Sequence, residues 1–143
     1  MSSIPIDIPA SFVPAVAISV GQPGADARFV DAANPMPVQI ARSSATVAPL
    51  TGTASASAQV GPFVPELDRP IHLSLAGIWS GRGRLLRSID DGATREPLTL
   101  AGMPWASFTS NANEPVAEES VAGASYYLDL TITAGTVAYR VTQ

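Results

Sequence analysis

Tyr126-Tyr127-Leu128-Asp129-Leu130-Thr131-Ile132-Thr133-Ala134-Gly135-Thr136-Val137-Ala138-Tyr139-Arg140-Val141-Thr142 alternates apolar and polar side chains over most of its length. A period of two belongs to a strand with one face in a core, because successive Cβ atoms point to opposite sides of the pleat. Tyr126, Leu128, Leu130 and Ile132 fall on one face, with Tyr127, Asp129, Thr131 and Thr133 on the other. Ala134-Gly135 then reads as a tight turn and Val137, Tyr139 and Val141 resume the alternation, so the stretch predicts a C-terminal hairpin.

Working outward, Ile71, Leu73, Leu75, Gly77 and Trp79 alternate with His72, Ser74, Ala76 and Ile78, which predicts a second strong strand with Trp79 in the core. Arg82 to Ile89, then Asp90-Asp91-Gly92, then Thr94 to Leu100 predicts another hairpin, Gly92 supplying a positive φ. Residues 54–60 form a weaker opening strand. No run of ten or more residues places apolar side chains at i, i+3, i+4 and i+7 without an interrupting Gly or Pro, so no helix longer than a turn is expected. The fold class is all-β: an antiparallel two-sheet sandwich over residues 50–143, with a small barrel as the alternative.

The first 49 residues differ in kind. Seven of the 13 prolines but only two of the 11 glycines lie in the first 50 residues. Proline fixes φ and pushes its predecessor toward extended geometry, so Ile4-Pro5-Ile6-Asp7-Ile8-Pro9 and Asn34-Pro35-Met36-Pro37-Val38 predict an extended, ladder-poor arm over residues 1–49. The arm is apolar, unlike a solvated linker, and an apolar arm needs a surface to lie on. Ile4, Ile6, Ile8, Phe12, Phe29, Met36 and Val38 are therefore candidate assembly contacts, against neighbouring subunits or, alternatively, the chain's own sheet.

The 143 residues, 46% hydrophobic and 14% charged, suffice for one modest domain. All eight basic residues are Arg, and the net charge of −4 argues against nucleic acid as a partner. With no Cys and only His72, disulfides, thiolate sites and His-rich metal sites are excluded, and no metal or cofactor is expected. The first basic residue is Arg28 and no run approaches the ~18 apolar residues of a spanning helix, so neither a leader nor a membrane partner is expected. His72 has no identifiable nucleophile or orienting carboxylate. Asp90-Asp91 reads as turn chemistry, and Glu118-Glu119 would point to opposite strand faces, so no catalytic residue is assigned. Gly81-Arg82-Gly83-Arg84 with Arg87 is a basic cluster on a strand, lacking the following helix of a phosphate loop. Its arginines suit carboxylates of the same or a neighbouring subunit and count as candidate assembly contacts. Trp105, on a loop or edge after Met103-Pro104, and Tyr127 are candidate ligand contacts that would stack on a sugar.

The stretch Leu75-Ala-Gly-Ile-Trp79-Ser-Gly-Arg-Gly-Arg-Leu-Leu-Arg87-Ser-Ile-Asp-Asp-Gly92-Ala-Thr94, followed by Asn113-Glu114-Pro115-Val116, Glu118-Glu119, Ala122-Gly123, Tyr126-Tyr127 and Gly135-Thr136-Val137-Ala-Tyr139-Arg140, resembles small β-sandwich virion proteins of tailed bacteriophages. Asp26-Ala-Arg28-Phe-Val-Asp31-Ala-Ala-Asn34-Pro-Met-Pro-Val38 is similar to the arm that precedes this domain in such proteins. The resemblance is one of pattern, over roughly residues 50–143. It implies a non-enzymatic virion protein, foremost a capsid decoration (cement) subunit anchored by its arm. Its partners would be other virion proteins, the major capsid protein or head-tail and tail subunits, and copies of itself. The alternative it implies is a head-tail, tail or fibre-base accessory, including a receptor- or glycan-binding module.

Overall fold

The computed structural model describes residues 19–20, 28–33, 35–36, 38 and 43–143. The chain divides into two compact units, residues 1–43 and 44–143. In the first, β1 (Ser19–Val20) pairs antiparallel with β2 (Arg28–Phe29), and Asp31 Oδ1 accepts from the Ala33 N–H at 2.8 Å. This stretch therefore contains a small ladder rather than a single extended arm. Ile4, Ile6, Ile8 and Phe12 lie outside the described residues; Phe29 is in β2, and Met36 and Val38 are exposed. Residues 44–49 belong to the second unit: Val47 packs on its core, and the Thr46 N–H and hydroxyl both bind Glu66 at 2.7 Å.

The second unit comprises β3 (Leu50–Ala54), β4 (Ala58–Phe63), β5 (Pro70–Ser88), β6 (Glu96–Pro97), β7 (Thr99–Leu100), β8 (Met103–Pro104), β9 (Ser107–Phe108), β10 (Ala112–Glu118) and β11 (Ser125–Thr142). Every pairing is antiparallel, and no helix occurs among the described residues. The 19-residue β5 and the 18-residue β11 pair along their whole length, from Ser125↔Ser88 to Thr142↔His72. One end of this ribbon carries β10 and β3 in the order β10-β5-β11-β3; the other carries β6 and β9 on β5 and β4 on β11.

The ribbon is folded over at its middle. Leu75 Cδ1 lies 3.0 Å from where a Cβ on Gly83 would stand, although eight residues of straight strand would separate them by about 26 Å. Folding brings the two ends face to face around one core, giving the sandwich-like all-β architecture, open rather than closed into a barrel. Ile71, Leu73 and Leu75 meet Leu85, Leu128 and Leu130, with Phe63, Val116, Tyr126, Val137 and Val141 completing the core. Each such side chain contributes roughly 1.5–3 kcal/mol by leaving water.

Several sequence expectations change. The strands expected over 71–79 and 82–89 are one continuous β5. The C-terminal hairpin does not form: β11 runs through Ala134-Gly135 with only a register shift between Ile132 and Ala134, and both of its halves pair with β5. A positive-φ Gly after a small residue suits a tight turn and a bulge alike. The bulge falls at Thr133, and Gly135 (φ 78) continues the strand just beyond it because β5 offers both halves an apolar ladder; Gly81 (φ 140) bends β5 opposite the bulge. The single opening strand is two, β3 and β4; between them the Ser57 hydroxyl accepts from the Ile132 N–H at 3.0 Å. Trp79 is only half-buried, its indole N–H donating to Asn111 Oδ1 at 2.9 Å. The Asp90–Gly92 turn forms as expected, but the return strand expected over 94–100 is cut to β6, which pairs with β5, while Thr99–Leu100 turns away to pair with β8.

A Cβ at position 135 would fall on the Ile78 carbonyl oxygen, whereas one at Gly102 (φ 79) meets nothing within 4 Å. Gly135→Ala is expected to destabilise by about 3 kcal/mol or more, combining left-handed backbone cost with a backbone clash. Gly102→Ala should cost only about 1–2 kcal/mol. Urea denaturation of both variants checks this; equal losses would show that the bend does not need the missing side chain.

Candidate functional site

After β6 the chain leaves the sheet as the β7–β8 hairpin and returns through Trp105. Its neck is pinned by three backbone bonds: Leu98 N–H to Leu85 O (3.5 Å), Trp105 N–H to Leu98 O (2.9 Å) and Leu85 N–H to Ala106 O (3.0 Å). At its tip Ala101 (φ 51) and Gly102 (φ 79) both take positive φ, the geometry of a two-residue hairpin turn of the primed type. Ala106 (φ 51) is also left-handed. The Trp105 indole N–H donates to the Val116 carbonyl at 2.6 Å, tying the hairpin base to β10 while the residue stays 40% exposed.

Between this hairpin and β5 lies a cleft of about 180 Å³ whose lining includes Arg82, Arg84, Leu98, Thr99, Trp105 and Ser107. Arg82 and Arg84 point outward because the alternate positions Gly83 and Leu85 face the core. Arg84 Nε donates to Asp129 Oδ2 at 2.8 Å, its register neighbour on β11. Arg82 has no ion-pair partner among the described residues, and no carboxylate lines the cleft. The structure thus unites Arg82 and Arg84 with Trp105, three residues singled out separately in the sequence.

Arg87 goes elsewhere. Its Nε and Nη2 donate to Glu119 Oε2 and Oε1 at 2.7 and 2.8 Å. Glu119, 2% exposed, also accepts from the Tyr126 hydroxyl (2.9 Å) and from the N–H groups of Ser120 (3.0 Å) and Val121 (2.8 Å). The Arg87 guanidinium, with Val121 N–H and Tyr126 adding, outweighs burial and holds the Glu119 carboxyl down at about 2. Burial first, and then the facing Glu119 carboxylate, push the Tyr126 hydroxyl up to about 12. Glu119 first, with Tyr126 adding, raises Arg87 against the opposing effect of burial. This is an internal clasp between β5, β11 and the loop after β10, so Arg87 is occupied within its own unit rather than offered to a neighbour.

Tyr127, expected on the outward face, is 7% exposed and covered by the Arg95 guanidinium 4.1 Å above its ring, so it is withdrawn as a ligand contact. Arg95 is itself held by Gln59 Oε1 and the Gly92 carbonyl. Asp90 does turn work: the Thr94 hydroxyl (2.7 Å) and N–H (2.9 Å), then the Ser88 hydroxyl (2.7 Å), bring its carboxyl down to about 2. Glu118 is exposed and Glu119 buried, on opposite faces as the spacing requires. His72 is half-buried in β5, opposite Pro115 and Thr142. Sequence reasoning missed the cleft positions Leu98, Thr99 and Ser107, which carry no local signal, and the clasp role of Glu119. Among the described residues no group of three or more His, Cys, Asp and Glu side chains is placed to hold a metal ion, and no helix is long and apolar enough to cross a membrane. In comparisons with known proteins the chain matches no family model, no curated sequence and no solved structure.

The clasp sets a pH dependence. The Glu119 carboxyl stands near 4.5 unperturbed and about 2 when folded, so its contribution is complete above about pH 5 and is lost as pH falls through about 2. Glu119→Gln should cost about 3 kcal/mol at pH 7, since Arg87 then lacks its buried counter-charge. The gap between wild type and variant in urea midpoints should close as pH falls from 5 toward 2; a gap independent of pH would refute the ionic origin. On the alkaline side Tyr126, raised from 10.0 to about 12, stabilises below pH 10 and ceases to do so by about pH 12, and Tyr126→Phe should remove that limb.

Proposed function

We propose that this chain is a non-enzymatic structural subunit of a tailed-bacteriophage virion, a capsid decoration (cement) protein that assembles with other virion proteins and copies of itself, anchored by its N-terminal residues. The observation that carries this reading is the composition of the surface around the β7–β8 hairpin. Leu100 (61% exposed) and Met103 (68% exposed) project from it, with Trp105 at its base and Arg82 beside it. Protein–protein interfaces are enriched in aromatic residues, Met and Arg and depleted in Lys, and this chain contains no Lys at all. Ile78, 92% exposed at the bend of β5, adds a second apolar point.

The N-terminal stretch supports the same reading. Its prolines restrict the unbound chain and so lower the ordering cost of docking, and a subunit repeated on a lattice gains occupancy from several weak contacts held together. The resemblance to small virion β-sandwich proteins points in the same direction. A small sandwich with a separate N-terminal unit suits repetitive attachment to a shell.

The test is position and copy number on purified particles. Labelled full-length protein is expected over the whole shell, and deletion of residues 1–40 should reduce co-sedimentation with particles roughly tenfold or more through lost multivalency. Labelling confined to one vertex would move the subunit to the head-tail junction, tail or fibre base. Absence from every particle would overturn the virion reading.

A further inference from the structure

We infer that the cleft between β5 and the β7–β8 hairpin binds a single carboxylated sugar ring, of uronic- or sialic-acid type, Arg82 taking the carboxylate and the Trp105 ring packing on the C–H face of the pyranose. This does not depend on where the subunit sits in a particle.

The charge balance comes first. In a chain of net charge −4 the cleft gathers two guanidinium groups and no carboxylate. Arg69, Arg84 and Arg87 each hold a carboxylate within the domain; Arg82, Arg95 and Arg140 hold none among the described residues, and of these three Arg82 is the one that lines the cleft. An uncompensated guanidinium at a concave site is matched by a planar anion that it can grip with two parallel hydrogen bonds. The neighbouring depression on the far side of Leu98, about 370 Å³, contains Glu96 beside Arg87 and has no such imbalance.

The second observation is the wall. The Trp105 N–H is committed to the Val116 carbonyl, so the ring orientation is set and its polar atom is spent away from any ligand. What it offers the cleft is a flat apolar surface, flanked by the hydroxyl-bearing residues Thr99 and Ser107. One rigid aromatic plane with a few hydroxyls and one cation suits a group that is apolar on a face, hydroxylated at its rim and charged at one carbon. An acidic peptide side chain would satisfy Arg82 but present no such face to Trp105.

Size limits the ligand. The cleft is small, about 180 Å³, and its single aromatic wall and single unpaired cation match one sugar residue of a glycan. Ala101 and Ala106, both left-handed, bracket the segment that forms the wall. Left-handed backbone is disfavoured for a residue with a Cβ, and such strain concentrates where a particular wall geometry is required.

The experiment uses the full ¹⁵N-labelled chain and reads the two indole N–H signals while glucuronate, N-acetylneuraminate, methyl glucoside, acetate or an acetylated Asp dipeptide is titrated in. Trp79, bonded to Asn111 and not part of the cleft, is the internal reference. The expected result is a saturable shift of the Trp105 signal, with Trp79 still, for at least one of the two acid sugars. Binding should be about tenfold weaker for methyl glucoside and for Arg82→Gln, the loss of one charge-assisted pair. An unchanged Trp79 signal and melting temperature would show that this variant is folded. No saturation with either acid sugar at millimolar concentrations overturns the proposal, as does unchanged affinity in Arg82→Gln. An equal response to acetate would reduce the cleft to a simple anion site, and an equal or stronger response to the dipeptide would make it a peptide site; either result refutes the sugar.

Discussion

The antiparallel pairing of β5 with β11 is the constraint from which the rest of the 44–143 unit follows. Two strands of 19 and 18 residues, paired throughout with one register shift, form a ribbon roughly 60 Å long if straight, and a lone two-stranded ribbon of any length is marginal in water. Bending it at Gly81 and Gly135 turns one apolar face upon itself, so that Leu75 reaches Gly83 of its own strand. The short strands then cover what the ribbon leaves open: β3 and β4 along β11, and β10, β6 and β9 along β5.

The same bend arranges the arginines. Past Gly81, the alternation that buries Gly83 and Leu85 sends Arg82 and Arg84 to the outer surface and leaves Arg87 within reach of Glu119. Arg84 is matched by Asp129 because β11 runs beside it in register, a partly exposed cross-strand pair worth some tenths of a kcal/mol. Arg87 and Glu119 form a buried clasp whose value lies in closing the loop before β11 rather than in net charge attraction. Arg82 remains unbalanced, and the β7–β8 hairpin stands directly beside it.

Stability and recognition are thus handled by different parts of the ribbon. Its inner face and the clasp hold the unit together, while the hairpin inserted between β6 and β9 contributes exposed apolar side chains, strained alanines and the cleft wall. Such a hairpin is weakly supported in itself and is kept rigid by the Trp105–Val116 bond and its three-bond neck. A rigid projecting element with Met, Trp and Arg together suits contact with other molecules, whether protein neighbours or a sugar ring.

The sequence by itself determined that the unit is all-β, which faces of 71–75, 126–132 and 137–141 are apolar, and that Asp90-Asp91-Gly92 turns. Each of these is a local property, set by side-chain period or by the φ a residue tolerates. Only the tertiary structure decided that Ala134-Gly135 continues a strand past a bulge at Thr133 and is not a turn, since that choice depends on β5 offering both halves of β11 a ladder. It likewise decided that Tyr127 lies under Arg95 and that Glu119 is buried, because a pleat assigns a face but not what covers it. The meeting of Arg82 with Trp105, 23 positions later in the chain, carries no signal in either residue's surroundings. It arises where the hairpin folds back against the bent strand, and a contact between distant segments is a property of the packed chain alone.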